Sequence, residues 1–352
     1  ALPPRAPGTR ITVVREPVGP VAAFTPWNFP LAGPARKLAA ALAAGCPCVL
    51  KAAEETPASA LAIAQALADA GLPDGVASVV CGAPAAISAQ LLASPAIRKL
   101  NFTGSLAVGQ ELTRLAAERM QRTTMELGGH APVIVLDDAD LRVAIAHSVG
   151  AKYRNAGQIC VSPTRFYVHE RVYDAFADGF AEGARALVVG DGLDAATYMG
   201  PLAHDRRGPA IAGFVEDALA RGGELLAGGA AIERPGFFWQ PTVLAGVPAD
   251  ARVMTEEPFG PLATITRVGD LDEALAHANR LPFGLAAYAF TDSARAVRRI
   301  GAELEAGIVG VNSYAVAVPE APFGGVKASG HGFEDGSEGL DAHLVTKAIH
   351  ES

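Results

Sequence analysis

The sequence predicts an α/β protein built on doubly wound parallel sheets, and two observations carry that prediction. Short apolar runs alternate with helical patterns along most of the 352 residues. Strand–helix–strand units of this length need right-handed crossovers, which leave the strands parallel. The chain is also long for a single hydrophobic core, so two domains are expected.

The first series of elements precedes the pair Gly128-Gly129. Apolar runs predict its strands at Val18–Phe24, Cys48–Lys51, Ala77–Cys81 and Lys99–Phe102. Helical patterns lie at Gly33–Ala44, Pro57–Gly71 and Leu106–Glu118. Gly45 and the Gly71-Leu72-Pro73 segment are stop signals for the first two helices.

The second series begins at Ala131–Leu136 and runs to about Val311. Its other predicted strands are Thr164–His169, Ala263–Val268, Ala286–Thr291 and Ile308–Val311, and its predicted helices are Arg171–Leu187 and Leu271–Asn279. The join near Gly128-Gly129 is the predicted domain boundary. Val345–Ile349 predicts a terminal strand with little in its own chain to pair with, which indicates pairing at a subunit interface.

Composition excludes several classes of partner. The net charge of −8 argues against nucleic acid and anionic membranes as partners. The most apolar stretch, Leu38–Leu50, is interrupted by Gly45 and Pro47 and is too short to span a bilayer. Ala1–Arg10 lacks a signal-peptide core, and four cysteines are too few for a disulfide framework. The chain is therefore expected to be soluble and cytoplasmic.

Cys160 is the candidate nucleophile. A single cysteine is more often an inert core residue. Here Gly157 and Gln158 precede it and Ser162-Pro163 follow, a turn that can expose the sulfur. Arg154 adds positive charge that favours the thiolate, which is the reactive form.

Two polar residues could assist such a thiol. Glu126 closes a predicted strand before Leu127-Gly128-Gly129, at the sheet edge where α/β proteins place ligand groups. An apolar setting raises a carboxyl pKa and suits a general base, although a solvated strand-end glutamate fits the local sequence equally. Asn28, between Trp27 and Phe29, has amide donors suited to an oxyanion, or to capping a turn.

Cofactor binding is only partly indicated by local motifs. No Gly-x-Gly-x-x-Gly follows the early strands, and Gly82-Ala83-Pro84 is a partial substitute. Lys51 and Glu54, taken alone, are ordinary strand-end charges. No cluster of histidine and cysteine offers a metal site, so no metal is expected.

Five segments in this order resemble the NAD(P)-dependent aldehyde dehydrogenases over essentially the whole chain. They are Thr25–Pro30, Met125–Gly129, Arg154–Cys160, Glu256–Pro261 and Pro322–Gly325. The resemblance implies the aldehyde dehydrogenase fold: a Rossmann-like NAD-binding domain, an α/β catalytic domain and a small oligomerisation surface. It assigns 1–18 to an oligomerisation arm, 19–127 to the NAD-binding domain, 128–329 to the catalytic domain and 330–352 to a C-terminal oligomerisation segment. The family's chains begin upstream of Ala1, so the first part of the NAD-binding domain is expected to be missing here. A homodimer or homotetramer is expected.

The same resemblance implies the chemistry. Cys160 attacks an aldehyde, Asn28 stabilises the oxyanion of the thiohemiacetal, and Glu126 activates water to hydrolyse the thioester that follows hydride transfer. Lys51 and Glu54 are expected at the adenosine ribose, and Glu257 with Phe259 at the nicotinamide ribose. The full set of implied cofactor residues is Pro26, Trp27, Lys51, Glu54, Gly82, Thr103, Gly104, Ser105, Leu127, Gly128, Glu257 and Phe259. A carboxylate at Glu54 repels a 2′-phosphate and predicts NAD rather than NADP.

Substrate choice is predicted from two arginines. Arg36 and Arg154 match positions where succinate-semialdehyde dehydrogenases bring arginines to the distal carboxylate, which a guanidinium binds bidentately. Taken alone, Arg36 also fits an ordinary arginine on a helix surface that is paired with solvent. The predicted reaction is the oxidation of succinate semialdehyde to succinate. Val318 stands where some of those enzymes have a serine, and Ser162 replaces the second cysteine of a redox-regulated subset. The alternative substrates are α-ketoglutaric semialdehyde and a broad range of aldehydes.

Two different classes of protein compete with this interpretation. A cysteine hydrolase would pair Cys160 with a histidine, His147 or His130, but would not need Lys51, Glu54 and Glu257. A catalytically silent, truncated homologue would be expected to lose Cys160 or Glu126, and both are present.

Overall fold

The computed structural model describes residues 8–351, so the first seven residues of the predicted arm lie outside the described part. Two compact units divide the chain. The first contains the residues up to Leu127 together with Ala317–Gly324 and the segment from Gly330 onward; the second contains Gly128–Val316 and Gly325–Ser329. The α/β class is confirmed in both.

The first unit is built on a six-stranded sheet of order β14-β6-β5-β2-β3-β4. Its strands are β2 Val21–Phe24, β3 Cys48–Lys51, β4 Ala77–Val80, β5 Lys99–Thr103, β6 Arg122–Glu126 and β14 Gly330–His331. All neighbours are parallel except β14, which runs antiparallel to β6. The helices are α1 Ala32–Ala43, α2 Pro57–Asp69, α3 Pro84–Ala93, α4 Leu106–Ala117 and α11 Gly336–Asp341.

The order of these strands creates a switch point between β2 and β5. Strand β2 leads through α1 to β3 on one side, whereas β5 leads through α4 to β6 on the other. The connections therefore diverge at the carboxyl ends of β2 and β5, and a crevice opens there in sheets of this kind. Separate apolar clusters, one around Leu38 and Leu50 and one around Leu100 and Leu112, fill the first unit.

The two chain ends form a ribbon in the first unit. Strand β1, Arg10–Pro17, pairs antiparallel with β15, Leu344–Glu351, over eight residue pairs from Arg10↔Glu351 to Pro17↔Leu344. The prediction that the terminal strand has little in its own chain to pair with is therefore wrong. Its partner is at the far end of the sequence, where a local pattern gives no sign of it.

The second unit is built on a seven-stranded sheet of order β13-β12-β7-β8-β11-β10-β9. Its strands are β7 Ala131–Val135, β8 Pro163–His169, β9 Glu224–Ala227, β10 Thr242–Ala245, β11 Leu262–Val268, β12 Ala286–Phe290 and β13 Ile308–Val311, with only β9 antiparallel to its neighbour. The helices are α5 Leu141–Tyr153, α6 Tyr173–Arg185, α7 Arg207–Ala220, α8 Arg252–Thr255, α9 Leu271–Asn279 and α10 Ala294–Glu303. The central strands are buried along their length and make one continuous core with these helices.

A short 3₁₀ turn occurs at Lys327–Ser329, whereas Arg154–Gly157 is a tight turn with left-handed backbone at Asn155 and Ala156. Among residues 8–351, no helix has both the length and the apolar character that crossing a bilayer requires.

Candidate active site

In the first unit, the predicted site residues collect at one edge of the sheet. Lys51, Thr103 and Glu126 are the last residues of β3, β5 and β6. Phe24 is in register with Lys51, and Thr103 with Glu126, so these strands end at nearly the same level. The segment Thr25–Asn28 leaves the end of β2, beside the switch point. The edge is therefore the carboxyl edge of the parallel strands, where dinucleotides bind in open α/β sheets.

Backbone features of this edge fit a dinucleotide. Gly82 has φ +138°, and a Cβ at Gly104 would overlap the ring of Phe102, so both positions need glycine and expose their backbone. Helix α3 begins two residues after Gly82, and its N-terminus has no side-chain cap. The N–H groups of its first turn are therefore available to donate to an anionic group, which the helix dipole also stabilises. Lys51 Nζ lies 2.7 Å from Glu54 Oε1. A cation and a carboxylate at this edge are groups that can hydrogen-bond with ribose hydroxyls.

Glu126 is buried and its carboxylate lacks a hydrogen-bond partner within residues 8–351. Burial raises the pKa of Glu126 well above its usual range, and the nearby Glu334 raises it further, while Lys37 and Arg36 oppose the shift. A buried, unpaired carboxyl group costs stability, and such groups concentrate at functional sites. The arrangement suits a general base.

A charged cluster surrounds Glu126, and sequence reasoning missed three of its members, Lys37, Glu334 and Asp335. The Lys37 ammonium pairs with Glu334 and donates to Asn101 Oδ1 at 2.8 Å. Arg36 Nη2 lies 2.9 Å from Asp335, and its guanidinium stacks over the ring of Phe323 at 4.7 Å. The predicted substrate arginine Arg36 thus has its charge balanced by carboxylates of its own unit. A lysine on the apolar face of α1 was the available signal, because that face otherwise carries Leu38 and Ala41.

Asn28 lies in the loop between β2 and α1 and is partly buried. The loop is closed by the Gly33 N–H, which donates to the Phe29 carbonyl at 2.9 Å. Asn28 is therefore held at the carboxyl end of β2, at the switch point of the first sheet.

In the second unit, Cys160 follows a left-handed turn. Helix α5 ends at Tyr153, and Asn155, Ala156 and Gly157 then adopt φ values of 50°, 53° and 69°. A Cβ at Gly157 would overlap the Gly260 carbonyl, so this turn packs directly on the Glu256–Pro261 segment. Cys160 itself is partly exposed. Left-handed backbone at a non-glycine residue stores strain, which marks functional sites.

Several bonds fix the turn that carries the nucleophile. The Gln158 amide donates to the Asn155 carbonyl at 3.1 Å, and its oxygen accepts from Ala203 N at 3.0 Å. Tyr288 donates to the Val161 carbonyl at 2.8 Å. A Cβ at Gly129 would lie 2.7 Å from the Cys160 carbonyl, so the backbones of these two segments are in contact. Contacts made by residues before and after Cys160 in the sequence therefore fix the position of its sulfur.

Glu257 is held against the start of the second unit. Its Oε1 accepts from Gly129 N at 3.2 Å, and a Cβ at Gly128 would overlap its Oε2. Burial raises the pKa of Glu257 to about 7, although the Gly129 N–H, Arg207 and Lys152 oppose that rise. Phe259, two residues on, has φ 40°. Sequence reasoning missed Lys152 and Arg207, which lie in helices and carry no motif.

In the second unit, the predicted site residues lie before the strands, whereas in the first unit they lie at the strand ends. Gly128-Gly129 precede β7, Cys160 precedes β8, and Glu257 precedes β11, and these three strands are parallel. All three segments therefore lie at the amino edge.

The histidines of the hydrolase alternative are placed differently. His130 is buried, its Nε2 lies 2.9 Å from the Val253 carbonyl, and burial holds its pKa well below the usual range. His147 lies within α5. Within residues 8–351, no group of histidine, cysteine and carboxylate side chains could hold a metal ion.

Comparison with known proteins agrees with this picture. A family model described as "Aldehyde dehydrogenase family" matches residues 1–349. 4-(Hydroxymethyl)benzenesulfonate dehydrogenase TsaD1 of Comamonas testosteroni is 51% identical over 349 residues, covering 99% of this chain and 72% of the relative. The NADP(+) succinate-semialdehyde dehydrogenase GabD of Escherichia coli K12 is 45% identical, covering 98% and 72%. The crystal structure of succinate-semialdehyde dehydrogenase from Burkholderia pseudomallei matches with TM-score 0.97 and 47% identity, covering 99% and 73%.

The protein is thus an oxidoreductase that acts on aldehydes, of the class that uses a nicotinamide cofactor. The chain belongs to the aldehyde dehydrogenase family.

Proposed function

We propose that the protein oxidises an aldehyde bearing a distal anionic group, and that succinate semialdehyde is converted to succinate with NAD. The observation that carries the proposal is Arg154, an exposed cation in the turn that leads to Cys160. Burial and Cys160 raise the pKa of Tyr288 and Arg154 lowers it, so both groups lie within electrostatic reach of that hydroxyl. A cation beside the nucleophile favours an anionic substrate and the thiolate together.

Each residue has a defined task in the proposed reaction. The Cys160 thiolate attacks the carbonyl carbon, and the Asn28 amide donates to the oxygen as it becomes negative. When bound, the nicotinamide supplies the hydride acceptor. Cys160 then holds the acyl group as a thioester. Glu126 takes a proton from water as that water attacks the thioester, which releases the acid and restores the thiolate.

Other side chains would hold the cofactor. At the carboxyl edge of the first sheet we assign Lys51 and Glu54 to the adenosine ribose and Thr103–Ser105 to the pyrophosphate. Pro26, Trp27, Gly82 and Leu127 complete that set. In the second unit, Gly128, Glu257 and Phe259 are assigned to the nicotinamide ribose.

The relatives support an anionic substrate but differ in the anion. One is named for a benzenesulfonate and another for succinate semialdehyde. A sulfonate and a carboxylate are both anions whose oxygens accept hydrogen bonds from a guanidinium. A sulfonated aldehyde is therefore the second candidate substrate, favoured by the more similar of these two relatives. α-Ketoglutaric semialdehyde and a broad range of aldehydes remain as further candidate substrates.

We also assign Arg36 to the distal anionic group of the substrate. Arg36→Ala is therefore expected to lower kcat/KM for succinate semialdehyde ten- to a hundredfold and to leave kcat/KM for butanal nearly unaffected. A charge-assisted hydrogen bond contributes roughly 1.5–3 kcal/mol, which corresponds to that range. The measurement is NADH formation with succinate semialdehyde, a sulfonated aldehyde and butanal. The ratio of anionic to neutral substrate removes any common effect on Glu126, whose pKa Arg36 also influences.

Asp335→Asn is the matched control, because it releases Arg36 from its 2.9 Å ion pair without removing the guanidinium. It should keep or increase the preference for the anion. The anionic-substrate proposal fails if wild type prefers butanal, or if Arg36→Ala lowers kcat/KM for all three substrates alike. A general aldehyde dehydrogenase would then remain.

Cofactor choice is assigned to Glu54. Its hydrogen bond from Lys51 lowers the pKa of Glu54 against the effect of burial, so the group is an anion at neutral pH. Wild type should have a higher kcat/KM with NAD than with NADP. Glu54→Ser should reduce that difference, because it removes the repulsion of the 2′-phosphate. The comparison is kcat/KM for NAD and NADP in both proteins, with Glu55→Ser as the neighbouring control. Equal values for the two cofactors in wild type would contradict this role.

We also propose a homodimer or homotetramer in the cytoplasm. A two-stranded ribbon such as β1–β15 is marginal by itself, which supports its burial by a second copy. The four cysteines are free, as in a reducing compartment. Size-exclusion chromatography with light scattering tests the assembly.

A further inference from the structure

The charge of Arg36 is balanced inside the first unit before any substrate arrives. Arg36 Nη2 lies 2.9 Å from Asp335 Oδ2, and Arg36 Nη1 lies 3.8 Å from Glu334 Oε2. The centroid of the Phe323 ring is 4.7 Å from the guanidinium carbon. Glu334 is itself paired with Lys37. Within residues 8–351, Asp335 is therefore the carboxylate that pairs with Arg36 alone.

Asp335 is held against Arg36 by a strained backbone. Its φ of 56° and ψ of 177° lie in a region that glycine occupies readily and that costs other residues free energy. Just before it, Phe323 and Glu334 exchange two backbone hydrogen bonds of 2.7 Å, and just after it the Gly339 N–H donates to the Asp335 carbonyl at 2.8 Å. The neighbouring chain therefore imposes this conformation, and strain of this kind concentrates at ligand sites.

The Asp335 carboxylate can accept a further hydrogen bond. Its Oδ2 lies at ion-pair distance from Arg36, but within residues 8–351 this buried oxygen accepts no well-aligned hydrogen bond. The Arg36 side chain is 25% exposed and that of Asp335 is 11% exposed, so a small molecule can reach the pair. Burial raises the pKa of Asp335, and Arg36 opposes the rise. A second donor would favour the carboxylate in the same way.

A substrate anion at Arg36 would meet a cation that Asp335 already neutralises. The anion and the Asp335 carboxylate repel each other, unless the same substrate also carries a donor for Asp335. We propose that Asp335 determines specificity, and that the preferred aldehyde carries a hydrogen-bond donor, best an ammonium group, on the carbon beside its distal anion. Arg36 donates to the anion and Asp335 accepts from the neighbouring donor. An ammonium is preferred to a hydroxyl, because it also restores the balance of charge.

The inference rests on the proposed role of Arg36 at the distal anion, and its test uses three aldehydes with the same carbon chain. They are succinate semialdehyde and its two derivatives with a hydroxyl or an amino group on the carbon beside the carboxylate. NADH formation gives kcat/KM for each. In wild type the amino derivative should rank first and succinate semialdehyde last. Their values should differ about tenfold, the effect of one hydrogen bond to a charged group.

Asp335→Asn should change these values in opposite directions. Loss of the carboxylate should lower kcat/KM for the amino derivative about tenfold and raise it for succinate semialdehyde, whose carboxylate is no longer repelled. Asp335→Gly fits the left-handed backbone and provides the same comparison if the asparagine variant does not fold. Asp341→Asn is the matched control, because it removes an exposed carboxylate of α11 that pairs with Arg15. It should leave all three values near those of wild type.

Two outcomes overturn the inference. One is a wild type that prefers succinate semialdehyde to its amino derivative, and the other is an Asp335→Asn variant that changes all three aldehydes by the same factor. In either case Asp335 is a structural partner of Arg36. Butanal distinguishes such a failure from failure of the proposed function. A wild type that prefers butanal to every anionic aldehyde refutes the distal anion itself, whereas a preference for succinate semialdehyde over both butanal and the amino derivative refutes only the role of Asp335.

Discussion

Cys160→Ser is expected to abolish aldehyde oxidation while NADH still binds. A serine hydroxyl has too high a pKa to be ionised at neutral pH, and no base in the proposed mechanism activates it for attack. The loss should be at least about a thousandfold, because the covalent step has no substitute. The assay is NADH formation at saturating aldehyde, and binding is followed separately by nucleotide fluorescence.

Cys81→Ser is the matched control, since Cys81 is an exposed thiol in the first unit. It should retain full activity. Iodoacetamide should inactivate wild type and the Cys81 variant at the same rate. Near-normal turnover by Cys160→Ser would remove Cys160 from the mechanism, and a hydrolase role for it would then need separate evidence.

Glu126→Gln is expected to convert steady turnover into a single burst. The amide cannot take a proton from water, so the thioester should accumulate after one equivalent of NADH has formed. Rapid mixing measures the burst, and acid quenching traps the acyl enzyme. If the first-turnover NADH were lost as well, Glu126 would act before hydrolysis instead of during it.

The raised pKa of Glu126 also predicts a pH dependence. The base acts only when ionised, so the hydrolysis rate of wild type should rise with pH through a value well above that of an ordinary glutamate. Stability should change in the opposite direction. A carboxyl group whose pKa is raised by folding stabilises the folded state below its unfolded pKa, and this contribution is lost as pH rises through the folded value. Glu126→Gln should therefore raise Tm more at pH 9 than at pH 5.

The sequence could predict the part of the site that lies where the predicted strands end. Lys51, Thr103 and Glu126 each end a short apolar run, and parallel strands bring such ends together whatever the rest of the fold does. Family resemblance supplied the roles of Asn28 and Glu257, which no periodicity indicates. Lys37 and Glu334 are nearly 300 residues apart, and their pairing depends on where α11 and its preceding loop return to the first unit.

Missed elements have similar causes. Helix α10 has only Ala296 and Ile300 buried, so its apolar pattern is too sparse to stand out among the charges of Ala294–Glu303. Strand β14 has two residues and exists because Gly330 pairs with Glu126, an interaction that local sequence cannot show. The antiparallel strand β9 has its first two residues exposed, and it depends on β10 for its place.

The use of opposite sheet edges has a practical consequence for engineering. In the second unit, the segments that follow β7, β8 and β12 emerge at the edge away from Gly128-Gly129, Cys160 and Glu257. A peptide tag or a fluorophore attached at exposed Asp292, just after β12, would be separated from the nucleophile by the length of the sheet. The loop that contains Asp292 is therefore a suitable site for immobilising the enzyme or for attaching a fluorophore that reports its motions. A change there should leave the chemistry of the enzyme intact.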